Sequence, residues 1–185
     1  ALAGTRDARD DGIPLLDGVS FDLFSGEILG VAGIAGSGQR ELCETLAGLM
    51  KASAGSVRFE GEDILGLTPG AIIHKGISMS FIPEDRLGMG LVAGMDIADN
   101  IMLKAYNKSP GPFVDRAEGR AQAERIVRTY DISTPSIHHI VRKLSGGNIQ
   151  KVLLGREIEM NPRLLITAYP VRGLDIGASS TIYEM

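Results

Sequence analysis

The residues most able to do chemistry lie in one short stretch, Gly33-Ile34-Ala35-Gly36-Ser37-Gly38-Gln39-Arg40-Glu41. It follows an apolar run, Glu27 to Ala32, that reads as a strand, and it opens a helical run from Arg40 to Met50. Strand, glycine loop and helix in that order make a phosphate cradle. The glycines let successive backbone N–H groups turn toward one anion, and the helix N-terminus adds partial positive charge. Gly33 and Gly38 have the spacing of the template G-x-x-x-x-G-K-[ST], whose lysine reaches the β- and γ-phosphates and whose hydroxyl binds magnesium. Gln39 stands where that lysine belongs, and Arg40 where the hydroxyl belongs. The expectation is a cradle that lacks two of its catalytic parts.

A second anion site is written in Leu144-Ser145-Gly146-Gly147-Asn148-Ile149-Gln150-Lys151. Ser145 can cap a helix, and the two glycines leave N–H groups open at its positive end. Such a cap is common on its own and gains meaning only beside the glycine loop.

Other elements must hold these two stretches. Residues 1–12 read as a charged tail or linker, and Leu15 to Leu23 as a strand with Ser25-Gly26 as its turn. Ser56 to Glu60, a turn at Gly61-Glu62-Asp63, and Ile64 suggest a short antiparallel pair. Thr68-Pro69 starts a helix, with threonine as N-cap and proline in the first turn. Ile77 to Ile82 reads as a strand ended by Pro83, and Glu84 to Gly90 as a glycine-broken loop. Asp96 to Lys104 is helical, Asn107 to Pro112 a loop, and Asp115 to Tyr130 a charged amphipathic helix with Ala121, Ile126 and Val127 as apolar positions. Ser145 to Met160 is a further helix with Val152, Leu153, Leu154 and Ile158 as burial candidates. Leu164 to Ala168 reads as a central strand, followed by a loop over Pro170–Gly177. Strands at both ends with helices between predict an α/β core, 13–82 and 162–185, into which a helical subdomain, 83–161, is inserted.

Composition sets the class. The 185 residues are 44% hydrophobic and 23% charged, enough for a sizeable core, and the net charge of −4 argues against a nucleic-acid footprint. No apolar run approaches the ~18 residues a membrane-spanning helix needs. The first dozen residues have no secretory pattern. The single cysteine, Cys43, falls among Leu42, Leu46 and Leu49 and reads as a buried thiol, in keeping with a reducing cytoplasm. Ala1 at one end and a helical run broken at Met185 at the other suggest a piece of a longer polypeptide.

Taken together, glycine loop, LSGG stretch, strand 164–168 and Arg172-Gly173-Leu174-Asp175 resemble the nucleotide-binding domains of ABC transporters, whose signature reads LSGGQ. The resemblance covers nearly the whole chain after residue 12. It implies a P-loop NTPase core, a mixed sheet with helices, carrying a short antiparallel β subdomain and the inserted helical subdomain, truncated at the C-terminus. Finer features are Gly38-Gln39-Arg40-Glu41, Pro83-Glu84-Asp85-Arg86, the LSGGN variant with Gln150-Lys151, and Arg172 to Ala178. These are similar to the second ATPase cassette of bacterial monosaccharide and nucleoside importers, in which two cassettes share one polypeptide.

The resemblance also assigns roles. Residues 33–41 would bind ATP, with Gln39 and Arg40 in place of the lysine and the magnesium ligand. Ala168 takes the place of the Walker B aspartate, Tyr169 that of the catalytic glutamate, and Glu84 that of the Q-loop glutamine. Magnesium prefers oxygen ligands, and neither Ala168 nor Arg40 supplies one. A tyrosine phenol, with an ordinary pKa of about 10, is a poor base near neutral pH. The half-site is therefore expected to hydrolyse ATP poorly or not at all. Leu144, Ser145, Gly146, Gly147, Asn148 and Gln150 form a signature that would complete a partner cassette's site. Gly173, Leu174 and Asp175 form a loop whose aspartate would lie at the cassette interface. The family's switch histidine would fall beyond Met185, leaving His74, His138 and His139 as surface or packing residues. Implied partners are permease subunits at the inner face of the cell membrane and a second cassette upstream, with no nucleic acid.

Several points stay open on the residues alone. Arg40 either restores positive charge near the phosphates or points to solvent. The loop 83–90 is either solvated or a permease contact through exposed Met89 and Leu91, and helix 115–128 is either a solvated face or a partner surface. A non-catalytic nucleotide-binding or dimerisation module is an alternative function. A DNA-repair or chromosome ATPase is disfavoured because no sustained heptads separate Gly38 from Leu144. A Rossmann site is disfavoured because Glu41 stands where the third glycine belongs.

Overall fold

Ser145 and Asp96 explain where two of the helices begin. Each side-chain oxygen accepts an N–H of its own first turn, from Asn148 and Asp99 respectively, and so satisfies a donor the helix leaves orphaned. Thr68 does the same for Ala71 N at 3.2 Å, with Pro69 as the first helical residue. The computed structural model describes residues 2–3, 16–34, 36–75, 79–104, 116–174 and 176–184. The chain divides into two compact units, 1–81 and 82–185.

The first unit holds β1 (Leu2–Ala3), α1 (Gln39–Leu46), β2 (Ala54–Gly55), β3 (Arg58–Phe59), β4 (Glu62–Asp63) and α2 (Pro69–His74). The expected antiparallel pair is present, with Arg58 opposite Asp63 and Phe59 opposite Glu62, but Glu62 and Asp63, expected in the turn, belong to its second strand. Its two turn residues, Glu60 and Gly61, both have positive φ, at 50° and 85°, as a type I′ turn requires. Two small apolar clusters support this unit, one around Leu16 and Leu42 and one around Ile64 and Ile72.

Three expectations need correction here. Leu2–Ala3, read as tail, pairs antiparallel with Ala54–Gly55. Leu15–Leu23 and Glu27–Ala32, both read as strands, form no strand among the described residues. Phe24, Val31 and Ile34 are exposed, and Ile28 is 97% exposed. An apolar pattern gives a segment the capacity to be a central strand, but a strand exists only where neighbours accept its N–H and C=O groups.

The second unit begins within β5 (Met79–Ile82) and continues through a π-helical turn (Arg86–Gly90), α3 (Ile97–Met102), α4 (Arg116–Thr129), a 3₁₀ turn (Val141–Lys143), α5 (Gly146–Glu159), β6 (Leu164–Thr167) and α6 (Ile176–Glu184). Ile82 at the end of β5 accepts from Ala168 N, just past β6, at 2.9 Å. Ile97, Ile101, Ile126, Val141, Val152 and Leu153 are fully buried in one cluster. Glycines set the close approaches. A β-carbon at position 155 would come within 2.7 Å of Ile126 Cγ2 and the Tyr130 ring, so the lack of one lets α5 approach α4 this closely.

Two further readings change. Glu84–Gly90 is not an open loop: Asp85 Oδ1 accepts from Gly88 N at 2.8 Å, and Asp85 O accepts from Met89 and Gly90, closing a π-turn. On α4 the apolar side is carried by Ala123 and Ile126, while Ala121 is exposed, because the 3.6-residue period turns position 121 away from the core. Asn107–Pro112, residues 4–12 and the side chain of His74 lie outside the described residues. No described helix is long and apolar enough to cross a membrane. Leu153→Ala is expected to destabilise the protein by about 2–5 kcal/mol, the usual cost of deleting a buried leucine, and a urea midpoint at constant slope measures it.

Candidate functional site

The glycine loop lies in the first unit. Gly36 and Gly38 have φ of 86° and 91°, conformations that only glycine adopts without strain, and Gly38 is the N-cap of α1. Ser37 N bonds to Ile34 O at 3.2 Å and Leu42 N to Gly38 O at 2.8 Å. Gln39 does not extend from the loop. Its amide folds back over Gly33, where any β-carbon would collide with Gln39 Nε2. Arg40 Nε instead bonds along the helix to the nearly buried Glu44 at 2.8 Å, so its charge is directed toward that carboxylate. Cys43 is half-buried, and burial, followed by the neighbouring Glu44, pushes its thiol above the ordinary value. Ala35 lies outside the described residues.

The signature lies in the second unit at the N-terminus of α5. Ser145 and Gly146 are exposed, Gly147 and Asn148 half-buried, and Gln150 fully buried. Asn148 holds the serine hydroxyl, donating to Ser145 Oγ from Nδ2 at 3.0 Å and more weakly from its backbone N at 3.4 Å. Its own Oδ1 accepts from Ser133 N at 3.0 Å, anchoring the cap to the segment after α4. The asparagine that departs from LSGGQ therefore works in shaping the turn. Leu144 packs against the main core, as does Leu174.

Beside this helix end lie Glu84, Arg86 and the 172–174 turn. Glu84 pairs with Arg172, and Arg86 donates from Nη2 to Arg172 O. Arg172 also lies over the Tyr169 ring, its Cζ 5.7 Å from the centroid. Tyr169 has φ of 51°, a left-handed backbone that is strained for a bulky side chain. Ala168 is buried. Glu84, Asp85, Arg86, Leu87, Ile149 and Arg172 line an open cleft of about 370 Å³. Burial lowers the Arg86 pKa from its ordinary value. Met89 is 48% exposed, as expected, but Leu91 is 3% exposed and packs in the core, so it is no surface contact. His138 is an exposed residue bound to Asp96 Oδ2 at 2.9 Å. Asp175 lies outside the described residues.

Ala168 has no side-chain oxygen, and the Glu84 carboxylate is taken by Arg172. What sequence reasoning missed is the exchange between Arg86 and Arg172, since its partners lie 86 positions apart.

Solved structures share this fold. The dimeric post-hydrolysis state of the ATP-binding cassette MJ0796 bound to ADP and Pi matches with a TM-score of 0.84 over 99% of this chain and 78% of that one, at 21% identity. A nucleotide-free ATP-binding cassette from an ABC transporter matches at 0.74 over 99% and 72%, at 23% identity. The fold is therefore that of an ATP-binding cassette, a P-loop NTPase fold of mixed helices and sheet. Residues 16–170 match the ABC transporter family, and the chain belongs to it. The guanosine import ATP-binding protein NupO of Bacillus subtilis is 41% identical over 182 residues, 97% of this chain and 35% of that protein. The glucose import ATP-binding protein TsgD13 of Haloferax volcanii is 38% identical over 185 residues, 96% and 33% respectively. The chain spans about a third of the length of the curated relatives it matches.

Asn148→Ala removes the bonds from its amide to Ser145 and Ser133. It is expected to cost about 1–2 kcal/mol, two ordinary net hydrogen bonds, read from thermal denaturation against the wild type.

Proposed function

We propose that this chain is the ATP-binding, energy-coupling domain of an importer for a sugar or nucleoside, and that it is the second, degenerate cassette of a two-cassette polypeptide. It would work on the cytoplasmic face of the membrane beneath permease subunits. The names of its relatives support the importer reading, since both are import ATP-binding proteins. The observation that carries the finer reading is the contrast between its two phosphate-type sites. At the glycine loop Gln39 lies over Gly33, whereas at α5 the capped turn of Ser145 and Gly146 is open to solvent.

The chemistry follows from that contrast. Phosphoryl transfer depends on positioning and on neutralising charge with lysine and metal. The backbone N–H groups of Gly36, Gly38 and Gln39 can cradle phosphates of ATP, but Gln39 brings no charge and Arg40 is engaged with Glu44. Ser145, Gly146 and Gly147 would instead face the nucleotide held by the other cassette, with Gly173, Leu174 and Asp175 at the interface. Function is then asymmetric, with one competent site and one degenerate site sharing two cassettes.

Calorimetric titration of ATP, with and without magnesium, beside a Gln39→Lys, Arg40→Ser, Ala168→Asp triple variant tests this reading. The native domain is expected to bind ATP with an affinity that magnesium changes less than about twofold, and the variant to gain magnesium dependence. Tenfold or greater strengthening of native binding by magnesium would contradict it. Binding by the variant alone would favour the reading in which this cassette contributes only its fold and signature.

A further inference from the structure

We propose that Arg86 is a positioning residue for the signature turn, holding the N-terminus of α5 in register with the Arg172-Gly173-Leu174 turn. The inference rests on the reading above, in which Ser145–Gly147 face a second cassette's nucleotide. In Pro83-Glu84-Asp85-Arg86 that reading gives a task to Glu84 alone. The structure gives each polar residue one. Asp85 closes the π-turn by accepting from Gly88 N, and a β-carbon at position 88 would push the Asp85 carboxylate out of its place there. Arg86 starts that turn, and its Nη2 donates to Arg172 O. The Arg172 side chain returns to Glu84, so the two segments are stitched twice in opposite directions.

The signature lies at this crossing. A β-carbon on Gly146 would meet Arg86 Nη1 at 3.6 Å, Leu174 Cδ2 at 3.6 Å and Gly173 O at 4.0 Å, so three segments converge on one glycine. A cation beside a helix N-terminus opposes the helix dipole, so its placement is not explained by stabilising α5. The planar guanidinium can donate to the Arg172 carbonyl while lying against Gly146, which a lysine ammonium, a compact point donor, does not reproduce.

The test uses the complete transporter, with Arg86→Lys and Arg86→Met compared with wild type. Both variants are expected to lower kcat for ATP hydrolysis about tenfold or more, the scale on which small misplacements act, with KM for ATP within about twofold. Hydrogen exchange should quicken at amides 145–148 and stay unchanged at 152–159. Unchanged kcat and exchange in a folded variant would overturn the proposal, and so would exchange that quickens along the whole of α5, the mark of a purely structural role. Ser145→Ala separates the two claims. If it leaves hydrolysis unchanged, the signature reading fails, while faster exchange confined to 145–148 in the Arg86 variants would still uphold the positioning role.

Discussion

Glu157 is fully buried, and a carboxylate removed from water must find cations and donors or lose its charge. Among the described residues, Arg156 and Lys104 meet it. Arg156 donates from Nε at 3.0 Å and Nη2 at 2.9 Å, and Lys104 from Nζ at 2.6 Å. Arg156 then reaches Gly90 O at 2.7 Å and Asn100 O at 3.3 Å, and Asn100 holds Val92 by both N and O. One buried charge thus binds the end of the π-turn, α3 and α5 together. The network holds the last turn of α5, while the opposite end of that helix, the signature turn, meets Arg86 from the start of the same π-turn.

The two phosphate-type turns differ in what holds them. The glycine loop of the first unit is built with the backbone of a phosphate cradle, yet its would-be cation is an amide folded over Gly33. The signature turn of the second unit has its cap, its asparagine brace and an open face. On the proposed reading, such a cassette would contribute more to a neighbour's site than to its own.

How much of this was legible in the sequence follows from the range of each interaction. Caps at Thr68 and Ser145 were readable because a short side chain bonds to its own next turn, whereas the cap at Asp96 is seen only in the structure. The hairpin was readable from its glycine, but its turn falls at Glu60-Gly61, and Glu62 and Asp63, read as turn residues, form β4. The segment 15–32 was not readable, since its apolar residues state a capacity for pairing and the partner is a separate matter. Nor was the π-turn, where two glycines suggested a loose loop and a single aspartate, Asp85, closed it. Leu91 and Met89 looked alike in sequence, and only the packing of α5 against the turn buries the first and leaves the second exposed. The glycine loop and LSGGN stretch were legible as motifs, but the Arg86–Arg172 exchange joins residues far apart and has no local signal.

The central claim is that Ser145–Gly147 complete a nucleotide site held by another cassette. Vanadate-sensitised photocleavage of the complete polypeptide, trapped with ATP, cuts the backbone beside the γ-phosphate position and reads this directly. Cleavage within 145–147 together with the other cassette's glycine loop is the predicted result. Cleavage at residues 33–38 of this chain, with none at 145–147, would contradict it.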